Sequence, residues 1–265
     1  MNYYKEKMRH IRETLISRKF LFSVFGFLLL IAGWHMLSLF MHGIVIASPY
    51  DSFKALYEMM GTERFQSHLW ITTKRIFMGI FWGGLAGFIL GLLAGIKEDI
   101  KNLLEPMRWS LMSVPPIVAV VIAMLWFGMG STMVVFVSGI ILSPIVYVNT
   151  VKGMEMVDKG LLEMGRIYKL SLWLKLKHVY IPAITGPLTA AMVIVTAMGV
   201  RIVIMAEVLG ASEGIGYAMS IASATLKIPE LFAYVIVGFC IVGITEFLVL
   251  GPIRDYVLRW KGGHQ

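Results

Sequence analysis

Charged residues and cysteine are both scarce in this sequence. Only 15% of its 265 residues are charged and 58% are hydrophobic, whereas a soluble domain is typically about 25% charged. This balance excludes one large soluble core and predicts a chain that crosses a membrane several times. The single cysteine, Cys240, lies in an apolar run, which excludes an internal disulfide framework and a thiolate metal site.

Recognisable catalytic motifs are also missing. There is no G-x-x-x-x-G-K-[ST] phosphate loop and no H-E-x-x-H metal motif, and the six histidines are scattered without ligand spacing. Gly214-Ile-Gly216 lacks the third glycine and the preceding strand of a dinucleotide fingerprint. We therefore expect that the chain is not an enzyme and holds no metal ion or cofactor of its own.

The sequence contains six apolar runs, each close to the roughly 20 residues that a spanning helix needs. Helices are expected because unpaired backbone groups cannot face lipid. The prediction is an all-α membrane protein with six transmembrane helices, at 20–41, 70–96, 109–128, 132–151, 183–209 and 231–253. Its parts are predicted to be a basic N-terminus (1–19), the first helix (20–41), an outer loop (42–69) and a five-helix core (70–260) that includes the loop 152–182.

The distribution of basic residues predicts the orientation. Eighteen lysines and arginines lie in segments on one side of the predicted spans, and only Lys54, Arg64 and Lys227 lie in the loops on the other. Because basic loops stay in the cytoplasm, both termini are predicted to lie inside. The asymmetry also explains the net charge of +8 without a nucleic-acid partner.

Two of the outer segments have features of their own. Residues 49–60 predict a short amphipathic helix, with Asp51 or Ser52 as its N-cap. Residues 210–230 contain Gly210, Gly214 and Gly216, and their spacing predicts a loop or re-entrant turn.

The second predicted span carries a row of glycines, each four residues after the last. Residues four apart share one face of a helix, so this face is nearly flat and predicts close packing against another helix. The row consists of Gly79, Gly83, Gly87, Gly91 and Gly95.

Between two apolar runs lies a polar, cationic segment, Met156–Pro182. Its pattern predicts one helix over 158–168 and a second short helix capped by Ser171, with Pro182 marking the break into the next span. Short amphipathic helices that present aliphatic, aromatic and cationic groups suit docking into a groove of a soluble partner.

This segment resembles the cytoplasmic loop of the permease subunits of ATP-binding-cassette (ABC) importers, whose pattern is E-A-A, three residues, G, nine residues, I-x-L-P. Glu163, Met164 and Gly165 stand at E-A-A, Lys169 at the glycine, and Val179 to Pro182 at I-x-L-P. Lysine in place of glycine makes the turn between the two helices less permissive. The stretches VPPIVAVVIAMLWFGMG and AEVLGASEGIGYAM are similar to permeases for aliphatic sulfonates, taurine and nitrate.

The resemblance implies a type I, binding-protein-dependent ABC importer permease in the bacterial cytoplasmic (inner) membrane. It implies a homodimer, two cytoplasmic ATP-binding subunits that hold ATP and magnesium, and an extracytoplasmic solute-binding protein. The loop would then act as a coupling helix to the ATPase. The coupling residues would be Glu163, Met164, Gly165, Arg166, Tyr168, Lys169, Ser171, Trp173 and Pro182.

Three ionisable residues lie within the predicted spans, where a charge is costly and usually faces the interior. Arg201 either meets an anionic substrate or forms a structural pair with Glu246. It should not pair with Glu207, which lies about 240° around the same helix. For Glu207 a gate or packing role is favoured over substrate contact. Trp126 and Phe127 either anchor the helix at the interface or line the translocation pathway.

Other readings stay open. A secondary transporter or channel would show an inverted repeat and an ion relay, and a membrane enzyme would show a carboxylate or histidine cluster. We find neither in the sequence. A small anion such as a sulfonate or nitrate is the predicted substrate, with a neutral vitamin precursor as the alternative. A heterodimer is the alternative to a homodimer.

Overall fold

A computed structural model describes residues 2–41 and 45–245 of the chain. This part contains helices and connecting turns but no strand, which confirms the all-α prediction. The helices are α1 (Asn2–Phe40), α2 (Pro49–Met60), α3 (Glu63–Ile96), α4 (Glu98–Ser113), α5 (Pro116–Phe127), α6 (Ser131–Glu155), α7 (Lys159–Ile167), α8 (Leu172–Lys175), a π-helical turn (Leu176–Tyr180), α9 (Ile181–Gly210), α10 (Ile215–Ala224) and α11 (Ile228–Ile244).

Four helical stretches of the described part are long and apolar enough to cross a membrane. They are Leu21–Phe40, Glu63–Ile96, Ser131–Glu155 and Trp173–Gly210. Each contains most or all of one predicted span, namely 20–41, 70–96, 132–151 and 183–209. The chain is therefore a multi-pass membrane protein.

The third predicted span, 109–128, is not one straight helix. It is divided between α4 and α5, which meet at an angle of 101° and count together as at most one broken span. The cause is Pro115-Pro116: Val114, before the first proline, is extended with ψ 123°, as expected for a residue that precedes proline.

The last predicted span, 231–253, lies only partly within the described residues. Helix α11 ends at Ile244 and is shorter than a full span. The number of six spanning helices and the inside position of both termini stay predictions.

Two local predictions need correction. Residues 210–230 are not a simple loop, because they contain the ten-residue helix α10. Helix α2 forms as predicted, but its N-cap is Ser48, whose Oγ accepts a hydrogen bond from the N–H of Asp51 at 3.1 Å. The proline at the first helical position needs no N–H partner, which fixes the helix start there.

Helix α3 packs along α6 through the glycine row. A Cβ atom on Gly83 would lie 2.6 Å from the carbonyl oxygen of Gly139, and one on Gly91 would lie 2.6 Å from Cβ of Thr150. The backbones approach so closely only because both glycines lack a side chain. Helix α9 completes this core, whose fully buried side chains include Val134, Val137, Leu142, Val195 and Val203.

Candidate functional site

The segment between α6 and α9 forms two short helices joined by a tight turn. At its start, Oδ1 of Asp158 accepts a hydrogen bond from the N–H of Gly160 at 2.6 Å. Helix α7 follows and ends at Ile167. Asp158 satisfies one of the free N–H groups of the first turn, which is why a helix begins there.

The turn has its left-handed residue at Lys169, with φ +48°. The N–H of Leu170 donates to the carbonyl of Gly165 at 3.0 Å. This bond across six residues, with a left-handed residue before its donor, is a Schellman motif, in which glycine is the usual residue. The lysine therefore adopts the backbone conformation that explains glycine at this place in the permease pattern.

Helix α8 begins after Ser171, whose Oγ accepts a long hydrogen bond of 3.4 Å from the N–H of Leu174. The sequence suggested that Pro182 marks a break before the next span. In the structure, the backbone is helical on both sides of Pro182. The π-helical turn precedes α9, and the N–H of Ile181 donates to the carbonyl of Leu176. Proline is accommodated in the first turn of α9 because its missing N–H is not needed there.

Many side chains of this loop are exposed. Glu163, Lys169 and Ser171 are exposed. So are the large apolar groups Met164, Ile167, Tyr168 and Trp173, the last with 69% of its surface accessible. Gly165 is buried beneath Lys175, whose Cε would lie 3.4 Å from an added Cβ. The side chain of Arg166 lies outside what the structure describes.

A second polar site lies at the opposite end of α9. Glu207 is 0% exposed and Arg75, on α3, is 3% exposed. Nη1 of Arg75 donates to Oε1 of Glu207 at 2.7 Å. Thr72 Oγ1 lies 2.8 and 3.0 Å from the two carboxylate oxygens, and the N–H of Gly216 donates to Oε2 at 3.0 Å.

The same α3 residues hold the turn between α9 and α10. The N–H of Gly214 donates to Nδ1 of His68 at 3.0 Å, and the N–H of Ile215 donates to Thr72 Oγ1 at 2.8 Å. Arg75 also donates to the carbonyl of Glu213 at 2.7 Å and to Ser131 Oγ at the start of α6. One buried cluster thus joins α3, α6, α9 and α10. We call His68, Thr72, Arg75, Ser131 and Glu207 the buried polar cluster.

Sequence reasoning missed most of this cluster. Its signal was that His68, Thr72 and Arg75 lie four and three residues apart and therefore share one face of an apolar helix. Glu207 was assigned to the translocation pathway, with a gate or packing role favoured over substrate contact. Its complete burial in the cluster fits packing, and the gate role stays a prediction.

The remaining predicted pathway residues are dispersed. Arg201 is exposed on α9, and its suggested partner Glu246 lies outside the described residues. Trp126 and Phe127 are exposed at the end of α5, where the Phe127 ring lies 4.7 Å from that of Phe136. Across the described ranges, no group of histidine, cysteine, aspartate and glutamate is arranged to hold a metal ion.

Comparison with known proteins decides the family. Residues 83–251 match the family described as binding-protein-dependent transport system inner membrane component. The chain belongs to this family. This match confirms the predicted ABC importer permease family, whose members are transport permeases and not enzymes.

Curated relatives of this permease span most of its length. An aliphatic sulfonates transport permease protein, SsuC, of Escherichia coli is 28% identical over 82% of this chain and 82% of the relative. SsuC of Bacillus subtilis is 24% identical over 83% of this chain and 80% of the relative. The taurine transport system permease protein TauC of E. coli is 21% identical over 83% and 81%.

Solved structures share the fold of this permease. A chain of the methionine ABC transporter MetNI in an inward-facing conformation aligns with a TM-score of 0.57 and 17% identity, covering 69% of this chain and 93% of that one. An amino acid ABC transporter crystallised with histidines aligns with a TM-score of 0.56 and 20% identity, covering 78% of this chain and 96% of that one.

Proposed function

We propose that this permease is the membrane subunit of an ATP-driven importer and that its α7–α8 loop couples it to a cytoplasmic ATPase. The supporting observation is the loop itself: two short helices around a left-handed turn at Lys169, with Trp173, Tyr168 and Met164 exposed. Large exposed apolar groups beside cations form a surface suited to a groove of a partner protein.

In the proposed assembly two copies of the permease form the path, and two ATPase subunits bind ATP and magnesium. An extracytoplasmic protein delivers the solute. The assembly lies in the bacterial inner membrane with both termini and the α7–α8 loop inside. The chain itself carries no cofactor, and its six spans are those predicted from the sequence, with 231–253 as the sixth.

The proposed solute is a small anion such as a sulfonate or nitrate. The named relatives support this class, because they are permeases for aliphatic sulfonates and taurine. A neutral vitamin precursor is the competing solute.

Co-purification tests the coupling role. The permease, purified in detergent from cells that express it, should retain an ATPase subunit. Gly165→Arg should abolish the association, because Gly165 is buried and an added side chain meets Lys175. Gly61→Arg is the matched control, since nothing lies within 4 Å of a Cβ atom at that glycine. If Gly165→Arg keeps both the ATPase and solute uptake, the loop is not the docking element. If the unaltered chain transports solute without any ATPase, it is a secondary transporter or channel.

A further inference from the structure

Helix α9 has a buried face and an exposed face. Val195, Val203 and Ala206 pack into the core. Ala190, Ile194, Arg201 and Val208 are exposed, and the last three lie seven residues apart, which places them on one face. We call these four residues the Arg201 stripe.

The stripe carries a charge on a helix that is long and apolar enough to cross a membrane. Arg201 lies nine residues before Gly210, the last residue of α9, which is about 14 Å along a helix. The apolar layer of a membrane is about 30 Å thick. Charged side chains in that layer face a water-filled cavity or another protein surface and not hydrocarbon. The stripe is therefore not a lipid-facing surface.

The exposed face of α3 provides the contrast. It presents the bulky, uncharged aromatic groups Phe77, Phe81 and Trp82, of which the first two line an apolar cavity between α3 and α9. The stripe on α9 presents alanine, isoleucine, valine and one arginine. These smaller side chains leave the guanidinium accessible to a solute or to a second copy of the chain.

We propose that the Arg201 stripe lines the solute path and that Arg201 binds the oxyanion group of the solute as it passes. A guanidinium donates paired hydrogen bonds from a planar fork, which matches a sulfonate, carboxylate or nitrate group. A neutral solute gains nothing from this fork. The inference rests on the proposed function for the existence of the path, but the charge of its wall is measurable without knowing the solute.

Thiol labelling in membrane vesicles that contain the assembled complex tests this proposal. The background is Cys240→Ser, because Cys240 is an exposed free thiol, and the probe position is Ile194→Cys. Its reaction rate is measured with a sulfonate-bearing methanethiosulfonate and with the trimethylammonium analogue, with each reagent added from either side. Arg201 should favour the anionic reagent. Arg201→Gln should lower the ratio of anionic to cationic rates by about fourfold at low salt, the factor expected for a unit charge about 10 Å away in water.

Two control variants sharpen the measurement. Arg201→Lys should keep most of the preference, because the charge remains. Leu28→Cys, on the exposed apolar span of α1, should react with neither reagent.

Three outcomes overturn the proposal. If Ile194→Cys is unreactive from both sides, the stripe is packed and no path runs along it. If Arg201→Gln leaves the ratio unchanged, Arg201 does not attract anions. If a preference arises only after Glu246→Gln, Arg201 is a structural ion-pair partner. Failure of the proposed function would be seen separately, as the absence of an associated ATPase.

Discussion

The helical course from α8 through α9 is flanked by two turns of similar construction whose side chains have different surroundings. Each is a helix–turn–helix with a left-handed residue, Lys169 at one end and Gly214, with φ +109°, at the other. At the Gly214 end, the N–H of Gly214 donates to His68 and the N–H of Gly216 donates to the carboxylate of Glu207, both inside the chain. At the Lys169 end the large side chains are exposed. The Gly214 end is hydrogen-bonded within the chain except at the buried Nε2 of His68, which has no partner among the described residues, whereas the Lys169 end presents an exposed apolar surface.

The largest expected effect comes from removing the carboxylate of Glu207. Glu207→Ala should destabilise the permease by about 3–5 kcal/mol, because it leaves Arg75 buried without its counter-charge. Thermal unfolding in detergent, followed by tryptophan fluorescence, measures the loss. The exposed pair Lys227–Glu230 is the control, and Glu230→Ala should cost about 1 kcal/mol or less. Equal losses in the two variants would mean that burial does not distinguish the ends.

The same substitution at a glycine of each end is the next test. A Cβ atom on Gly216 would lie 2.6 Å from Cβ of Glu207, so Gly216→Ala should cost about 1–3 kcal/mol through overpacking. A Cβ atom on Gly165 meets only flexible side chains at 3.4 Å or more. Gly165→Ala should therefore stabilise α7 by about 0.5–1 kcal/mol, the ordinary gain of alanine over glycine within a helix. Thermal unfolding of the two variants side by side measures the loss of stability in Gly216→Ala and the gain in Gly165→Ala. If Gly165→Ala is the less stable variant, the difference between the two turns is contradicted.

The smallest expected effect is at the exposed turn. Lys169→Gly should slow amide exchange over residues 159–180 by a few-fold, because a non-glycine residue in the left-handed region costs about 1–2 kcal/mol and glycine's greater freedom when unfolded offsets part of that gain. Tyr168→Gly, one residue earlier and not left-handed, should speed exchange instead. Faster exchange in both variants would show that Lys169 is not strained.

The sequence predicted those features whose signal is periodic or local. The glycine row from Gly79 to Gly95 and the capped segment after Asp158 both depend on residues close in the chain. Lys169 was expected to disturb its turn, but the turn keeps its left-handed geometry with lysine in place.

What the sequence did not predict depends on three-dimensional placement. The two adjacent prolines could have predicted the 101° bend at Pro115, but the span 109–128 was assigned from the length of its apolar run. The pairing of Arg75 with Glu207 joins residues 132 positions apart, and no periodicity connects them. Helix α10 was hidden because its flanking glycines indicated a loop.

The helical course from Trp173 to Gly210 passes through the π-helical turn and two prolines, Pro182 and Pro187, as one candidate span. It is 38 residues long, which makes it a rod of about 55 Å. A tilt of about 5° at the end that carries Trp173 displaces the far end by about 5 Å, nearly the rise of one helical turn. Moving as one body, this rod would convert a small rotation beside Trp173 into a large displacement near Glu207.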